Sequence, residues 1–197
     1  MATSPFDSVL ERREAAVFGM WAFLATEVLF FGPLFFGYVH ARLADAEAFS
    51  SASHHMHVVL GTLNTAVLLT SSLTMALSVQ AAQLGRNFRL KILLAVTALL
   101  GTAFLGIKAY EWVSEAGEAA GATGGEAQFY FLYYAMTGLH GLHLTIGVGL
   151  LGWLWLRAKR FGAAYFAPVE VCGLYWHFVD LIWVFLYPMF YLLERWR

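Results

Sequence analysis

The sequence predicts an all-α fold: an integral membrane bundle of five transmembrane helices, N-terminus cytoplasmic and C-terminus outside. Three observations predict it. The 197-residue chain is 60% hydrophobic and only 13% charged, and its mean hydropathy of +0.64 is too apolar for an ordinary soluble domain. Aromatic residues reach 17%, with 17 Phe, 9 Tyr and 7 Trp, which suits rings placed at membrane interfaces. Five stretches also reach the roughly 20 mostly apolar residues that a helix needs to cross hydrocarbon.

The spans cover about 15–39, 58–84, 90–113, 129–156 and 171–193. Each is apolar around most of its circumference. In lipid, backbone groups must be satisfied within the segment, so these stretches are helices. Pro33 removes a backbone donor from span one and predicts a kink there. The linkers are "ARLADAEAFSSASHHMH", a tight basic "GRNFRLK", an acidic glycine-rich "SEAGEAAGATGGEAQ" and a basic "RAKRFGAAYFAPVE". No internal repeat is visible, and residues 1–197 read as a single membrane domain. The N-terminal "MATSPFDSVLERREAA" has no apolar core ahead of a cleavage site, so the first apolar run is expected to remain as a span.

Charge sets the orientation. The N-terminal segment and the second and fourth linkers share one side of the membrane. They carry Arg12, Arg13, Arg86, Arg89, Lys91, Arg157, Lys159 and Arg160, or 8 of the 12 basic residues. Arg42, Lys108, Arg195 and Arg197 lie on the other. The excess of Lys and Arg marks the cytoplasmic side. A net charge of −1 gives no sign of nucleic-acid binding. One cysteine, Cys172, excludes an internal disulfide framework, a covalent haem attachment of the CxxCH type and a thiolate zinc cluster.

Ionisable groups inside spans cost about 2.5–3.5 kcal/mol each on insertion scales, so each needs a reason. Glu27 falls near the middle of span one. It reads either as a proton-exchanging or lipid-contacting carboxyl, or as a protonated acid bonded to a neighbouring helix. His140 and His143 share one face of span four, since residues three apart on a helix are neighbours. They could ligate a metal or haem. A closed site would need further ligands, and the Glu-x-x-His motifs of di-iron bundles are absent. Bonds across helices to buried carboxylates are the favoured reading, and no metal site is assigned. His177 and Asp180 in "YWHFVDLIW" are again three apart. They read as a carboxylate–imidazole pair that satisfies itself or reaches spans three and four, with a step in a proton path as the sharper alternative. No serine flanks them to complete a catalytic triad. Lys108 and Glu111 read as an ion pair snorkelling to the outer interface. His54, His55 and His57 fall in what reads as a solvated loop. Gly138, Gly141, Thr145, Gly149 and Gly152 form one small-residue stripe on span four, a packing face toward another span or another subunit.

The blocks "TEVLFFGPLFFGY", "LNTAVLLTSSLTMALS", "YEW", "TGLHGLHLTIG" and "YWHFVDLIWVFLYPMFY" occur in an order that resembles the cytochrome c oxidase subunit III family of haem–copper terminal oxidases. The resemblance runs from about Phe18 to Leu192. It implies a non-catalytic membrane subunit in the bacterial inner membrane, with no cofactor of its own, whose partners hold the haem and copper. Those partners would be oxidase subunit I, subunit II and, optionally, a small subunit IV, together with membrane lipids. Oxygen reduction and proton pumping would be carried out by subunit I. The role implied for this chain is to support assembly, lipid binding and proton uptake. Many members have seven spans and hold phospholipid in a V-shaped cleft; this chain corresponds to the five-span form, without the first two. Glu27 matches the family's carbodiimide-reactive buried carboxyl. Arg157 falls where the family has a basic residue near lipid phosphates, and Glu111, His140, His143, His177 and Asp180 match its internal polar positions. A quinol oxidase subunit III or a nitric oxide reductase-associated homologue is the alternative within the resemblance. An independent metalloenzyme or a small proton channel are the alternatives outside it, and the absence of repeated broken helices speaks against a transporter.

Overall fold

The computed structural model describes residues 9–193 and, within them, six α-helices. Arg195 and Arg197 of the charge count, and the first eight residues of the N-terminal segment, lie outside the described residues. The helices are α1 (Val9–Ala44), α2 (Ala46–His55), α3 (Val58–Gln83), α4 (Asn87–Gly121), α5 (Gly124–Leu156) and α6 (Ala167–Tyr191). All but α2 are long and apolar enough to cross a membrane.

Two expectations about the linkers need correction. The acidic glycine-rich stretch is mostly helix: α4 runs to Gly121 and α5 begins at Gly124. Hydropathy falls where lipid ends, but alanine and glutamate are good helix formers and carry both helices onward into water. The first linker contains α2, which starts where the Asp45 side chain accepts from Ala48 N at 3.2 Å. Phe49, Ala52 and Ser53 bury its inner face, and Phe49 stacks edge-on to Tyr38 and Phe129. The helix α1 continues through Pro33.

The turn between α3 and α4 is tight because Gly85 takes a left-handed backbone (φ 66°). That lets Gly85 N and Arg86 N bond to Ala82 O and Ala81 O, closing the last turn of α3. A Cβ on Gly85 would lie 3.9 Å from Ala163 N, so this turn sits beside the α5–α6 connection. At the same end, Arg13 of α1 forks onto Glu170 of α6 with two bonds of 2.7 Å. The basic linkers and the N-terminal arginines therefore gather at one end of the bundle.

Among these helices α6 is central. It packs against α3, α5, α1 and α2, and 61% of its most apolar stretch is buried, against 11% for α1. Trp176 fits against α4 and α5 because both present glycine. A Cβ on Gly101 would come within 2.6 Å of its ring, and one on Gly147 within 3.0 Å. The end of α6 leaves carbonyls without helical donors. Tyr38 donates to Met189 O at 2.5 Å and Ser53 to Phe190 O at 2.9 Å, tying α1 and α2 to the last turn.

Candidate functional site

The first feature is a groove. An apolar opening of about 630 Å³ lies between α1, α5 and α6. It shares Pro168 and Val171 with a second opening of about 710 Å³ at the basic end, which is bordered by Arg12 and Arg13. The two openings adjoin at these residues.

Glu27 and His143 lie on its wall. Glu27 Oε2 is 3.1 Å from His143 Nε2, and both side chains are mostly covered. The other ring nitrogen, Nδ1, is 2.8 Å from Leu139 O. A carbonyl oxygen can only accept, so Nδ1 carries a hydrogen. Tyr175 donates to His143 O at 2.9 Å and fixes that turn of α5.

His140, one turn before His143, does not repeat the arrangement. It is 1% exposed, and neither ring nitrogen has a hydrogen-bond partner among the described residues. Its ring is held by Phe104 and Trp183 at centroid distances of 5.6 and 5.2 Å. The two histidines do not converge, and among the described residues no group of three or more His, Cys, Asp and Glu side chains is placed to hold a metal ion.

The reading of Lys108 and Glu111 as a snorkelling pair is overturned. Lys108 is 4% exposed and Glu111 0%. The helix α4 continues well past both residues, and α5 and α6 close over them. An ammonium has three hydrogens to give, and all three are used: to Glu111 Oε2 at 3.1 Å, Tyr133 OH at 2.8 Å and Tyr191 OH at 2.6 Å. Tyr191 donates in turn to Glu111 Oε1. The rings of Tyr133, Trp183 and Tyr191 surround the cation at 4.5–5.2 Å from their centroids. This cluster joins α4, α5 and α6.

His177 and Asp180 do not bond to each other, which corrects the second pairing. His177 Nδ1 meets Ser72 Oγ of α3 at 2.7 Å. That hydroxyl also reaches toward the Asp180 carboxyl, but neither carboxyl oxygen completes a hydrogen bond among the described residues. The partners of α6 come from a row of small hydroxyls on α3 that sequence reasoning passed over. Trp176 donates to Ser71 at 3.1 Å and Trp183 to Thr65 at 3.0 Å, while Tyr187 and Thr62 share a bond of 2.6 Å. The signal was present in "LNTAVLLTSSLTMALS": hydroxyls recur at helical spacing, and helices in lipid use such groups to join.

The remaining candidates spread outward. Arg157 stacks over Trp153 at 4.6 Å, at the basic end. His57 lies 3.6 Å from Glu115 of α4, while His54 and His55 belong to α2. The small-residue stripe divides. Gly138 and Gly141 face Trp112 and Leu105 of α4, whereas Gly149 and Gly152 have open space where a side chain would be.

A family model described as cytochrome c oxidase subunit III matches residues 9–195. The chain is 36% identical over 180 residues to cytochrome c oxidase subunit 3 of Bacillus subtilis (strain 168), an alignment covering 89% of this chain and 84% of that protein. To cytochrome c oxidase subunit 3 of Thermostichus vulcanus it is 32% identical over 193 residues, covering 96% and 92%. To the probable quinol oxidase subunit 3 of Staphylococcus aureus (strain USA300) it is 28% identical over 193 residues, covering 97% and 95%.

Proposed function

The chain belongs to the cytochrome c oxidase subunit III family, and from that premise we propose that it is the non-catalytic third subunit of a respiratory haem–copper oxidase. On this reading it sits in the bacterial inner membrane, basic end toward the cytoplasm, and docks on subunit I, with subunit II and a small subunit IV completing the complex. Haem and copper reside in those partners. The chain supports their assembly, holds phospholipid and aids proton uptake by subunit I.

One observation carries this reading. The ionisable side chains at the heart of the bundle, Lys108 and Glu111, are spent joining helices, while α1 and the groove offer the membrane an apolar surface. Both features support a role beside a catalyst. The groove supports the lipid role. Its walls suit an acyl chain, and the basic end is bordered by Arg12 and by Arg13, whose fork is held by Glu170. Arg157 is a further basic group at that end.

The test is a mild-detergent purification through this chain, followed by an optical haem spectrum and mass identification of what copurifies. Haem with a large multi-span subunit and bound phospholipid is expected. A colourless chain without partners overturns the reading. The relative named as a probable quinol oxidase subunit 3 supports a second reading, in which the electron donor is quinol. The haem types and the donor oxidised by the purified complex separate the two.

A further inference from the structure

One stripe of α6 faces outward. Leu181, Val184 and Phe185 are exposed along it, and His177, one turn before Leu181, is half-buried on the same stripe. Cys172 and Tyr175, which line the groove, lie on another side of the helix. On α3, Leu69 and Leu73 flank Ser72 and are exposed beside His177. The surface is apolar apart from one imidazole.

His177 departs from the way this chain treats its other outward polar groups. Thr26, Thr70, Thr102 and Thr145 are exposed within spans, and each donates to a carbonyl about one turn back on its own helix at 2.6–2.8 Å. An imidazole has two nitrogens to satisfy. Nδ1 of His177 meets Ser72 Oγ at 2.7 Å, and Nε2 has no partner among the described residues. In every protonation state Nε2 is either a donor or an acceptor, and hydrocarbon offers neither counterpart.

Depth decides what can supply one. Ser72 lies 14 residues after the start of α3 at Val58 and 11 before its end at Gln83. At 1.5 Å per residue that is about 16 Å or more from either end, and the hydrocarbon layer is only about 15 Å deep on each side of its middle. Lipid headgroups and bulk water are out of reach. A neighbouring helix has its backbone groups in use within the segment, so the counterpart is a side chain.

We propose that a membrane-spanning helix of another subunit packs along this stripe and brings a serine, threonine, asparagine or glutamine side chain to Nε2 of His177. That another subunit is present rests on the reading given above; the face it uses rests on His177. Leu181, Val184 and Phe185 of α6, with Leu69 and Leu73 of α3, form the apolar surround. Apolar contacts in lipid leave a helix free to slide and turn, and the hydrogen bond fixes its depth and rotation.

The test is photocrosslinking in the assembled complex in its own membrane. Leu181→p-benzoylphenylalanine is irradiated, and the adduct is identified by mass spectrometry after purification through this chain; Val184 takes the same substitution if the first variant fails to assemble. A crosslink to a membrane-spanning segment of another subunit is expected. Haem that copurifies without any protein adduct overturns the assignment of this face and leaves the subunit reading standing. A crosslink to a second copy of this chain also overturns the assignment. A colourless chain without partners overturns both. The polar contact is tested separately. His177→Leu should lower retention of the crosslinked partner in detergent about 3-fold, while His177→Gln and Ser72→Ala, which both keep a hydrogen-bonding group at position 177, should retain it. Equal losses in His177→Leu and Ser72→Ala would trace the effect to the bond within this chain and overturn the contact.

Discussion

The helices α1 and α6 are both apolar enough to span a membrane, yet 11% of the most apolar stretch of one and 61% of that of the other is buried in the bundle. Their polar residues account for the difference. Along α6, Trp176, His177, Trp183, Tyr187 and Tyr191 each reach a partner on α3 or α4. Within the part of α1 that crosses the membrane, Glu27 and Tyr38 reach other helices, while Phe18, Leu29 and Phe36 remain more than 70% exposed. In lipid, leucine gains little by moving from hydrocarbon to protein. What decides a helix's position is how many hydrogen bonds and close backbone approaches it can offer. Hydropathy says which segments enter the membrane, and polar spacing says which of them reach the middle.

The sharpest way to break the central helix is at Lys108. Lys108→Met leaves the Glu111 carboxylate buried with only Tyr191 beside it, and removing one partner of a buried pair costs about 3–5 kcal/mol. Thermal unfolding in detergent, or the yield of assembled complex, should show that loss. Adding Glu111→Leu should recover much of it, since an apolar replacement of a whole buried pair is often neutral. An intermediate effect is expected where helices meet at glycine. Gly101→Ala drives a methyl into Trp176, which is fully buried, at a cost of about 1–3 kcal/mol. Gly106→Ala, on the same helix but facing open space, should change the same melting measurement by no more than about 1 kcal/mol, in the stabilising direction. The smallest effect belongs to α1. Phe36→Ala should shift the melting of the isolated chain by no more than about 0.5 kcal/mol, because the ring is 73% exposed. A larger shift would mean that the outer face of α1 is packed by protein in that preparation.

The sequence made the five spans legible because long apolar runs have one use in a helical protein. It also marked Glu27 and His143 as residues needing an explanation. It could not pair them, since they lie 116 residues apart and their meeting depends on how α1 leans on α5. The misreadings share one cause. Three-residue spacing made His177–Asp180 read as a pair that satisfies itself or reaches spans three and four, but His177 meets Ser72 of α3 and neither Asp180 oxygen completes a hydrogen bond among the described residues. Lys108 was placed by its distance from the end of an apolar run, and that distance says nothing about the tyrosines of α5 and α6 that surround it. The ends of α4 and α5 were missed because a helix outlasts the hydrocarbon wherever alanine and glutamate continue it.

The Lys108 cluster also sets an order of events during synthesis. Lys108 and Glu111 enter the membrane with α4, already neighbours on one helix, and Tyr133 follows with α5. Tyr191, which bonds to both members of the pair, is the final residue of α6. A chain interrupted before that point presents an ammonium and a carboxylate to lipid with their last partner missing. Arrival of the last helix is thereby registered at one place, because Tyr191 is the partner that bonds both members of the pair.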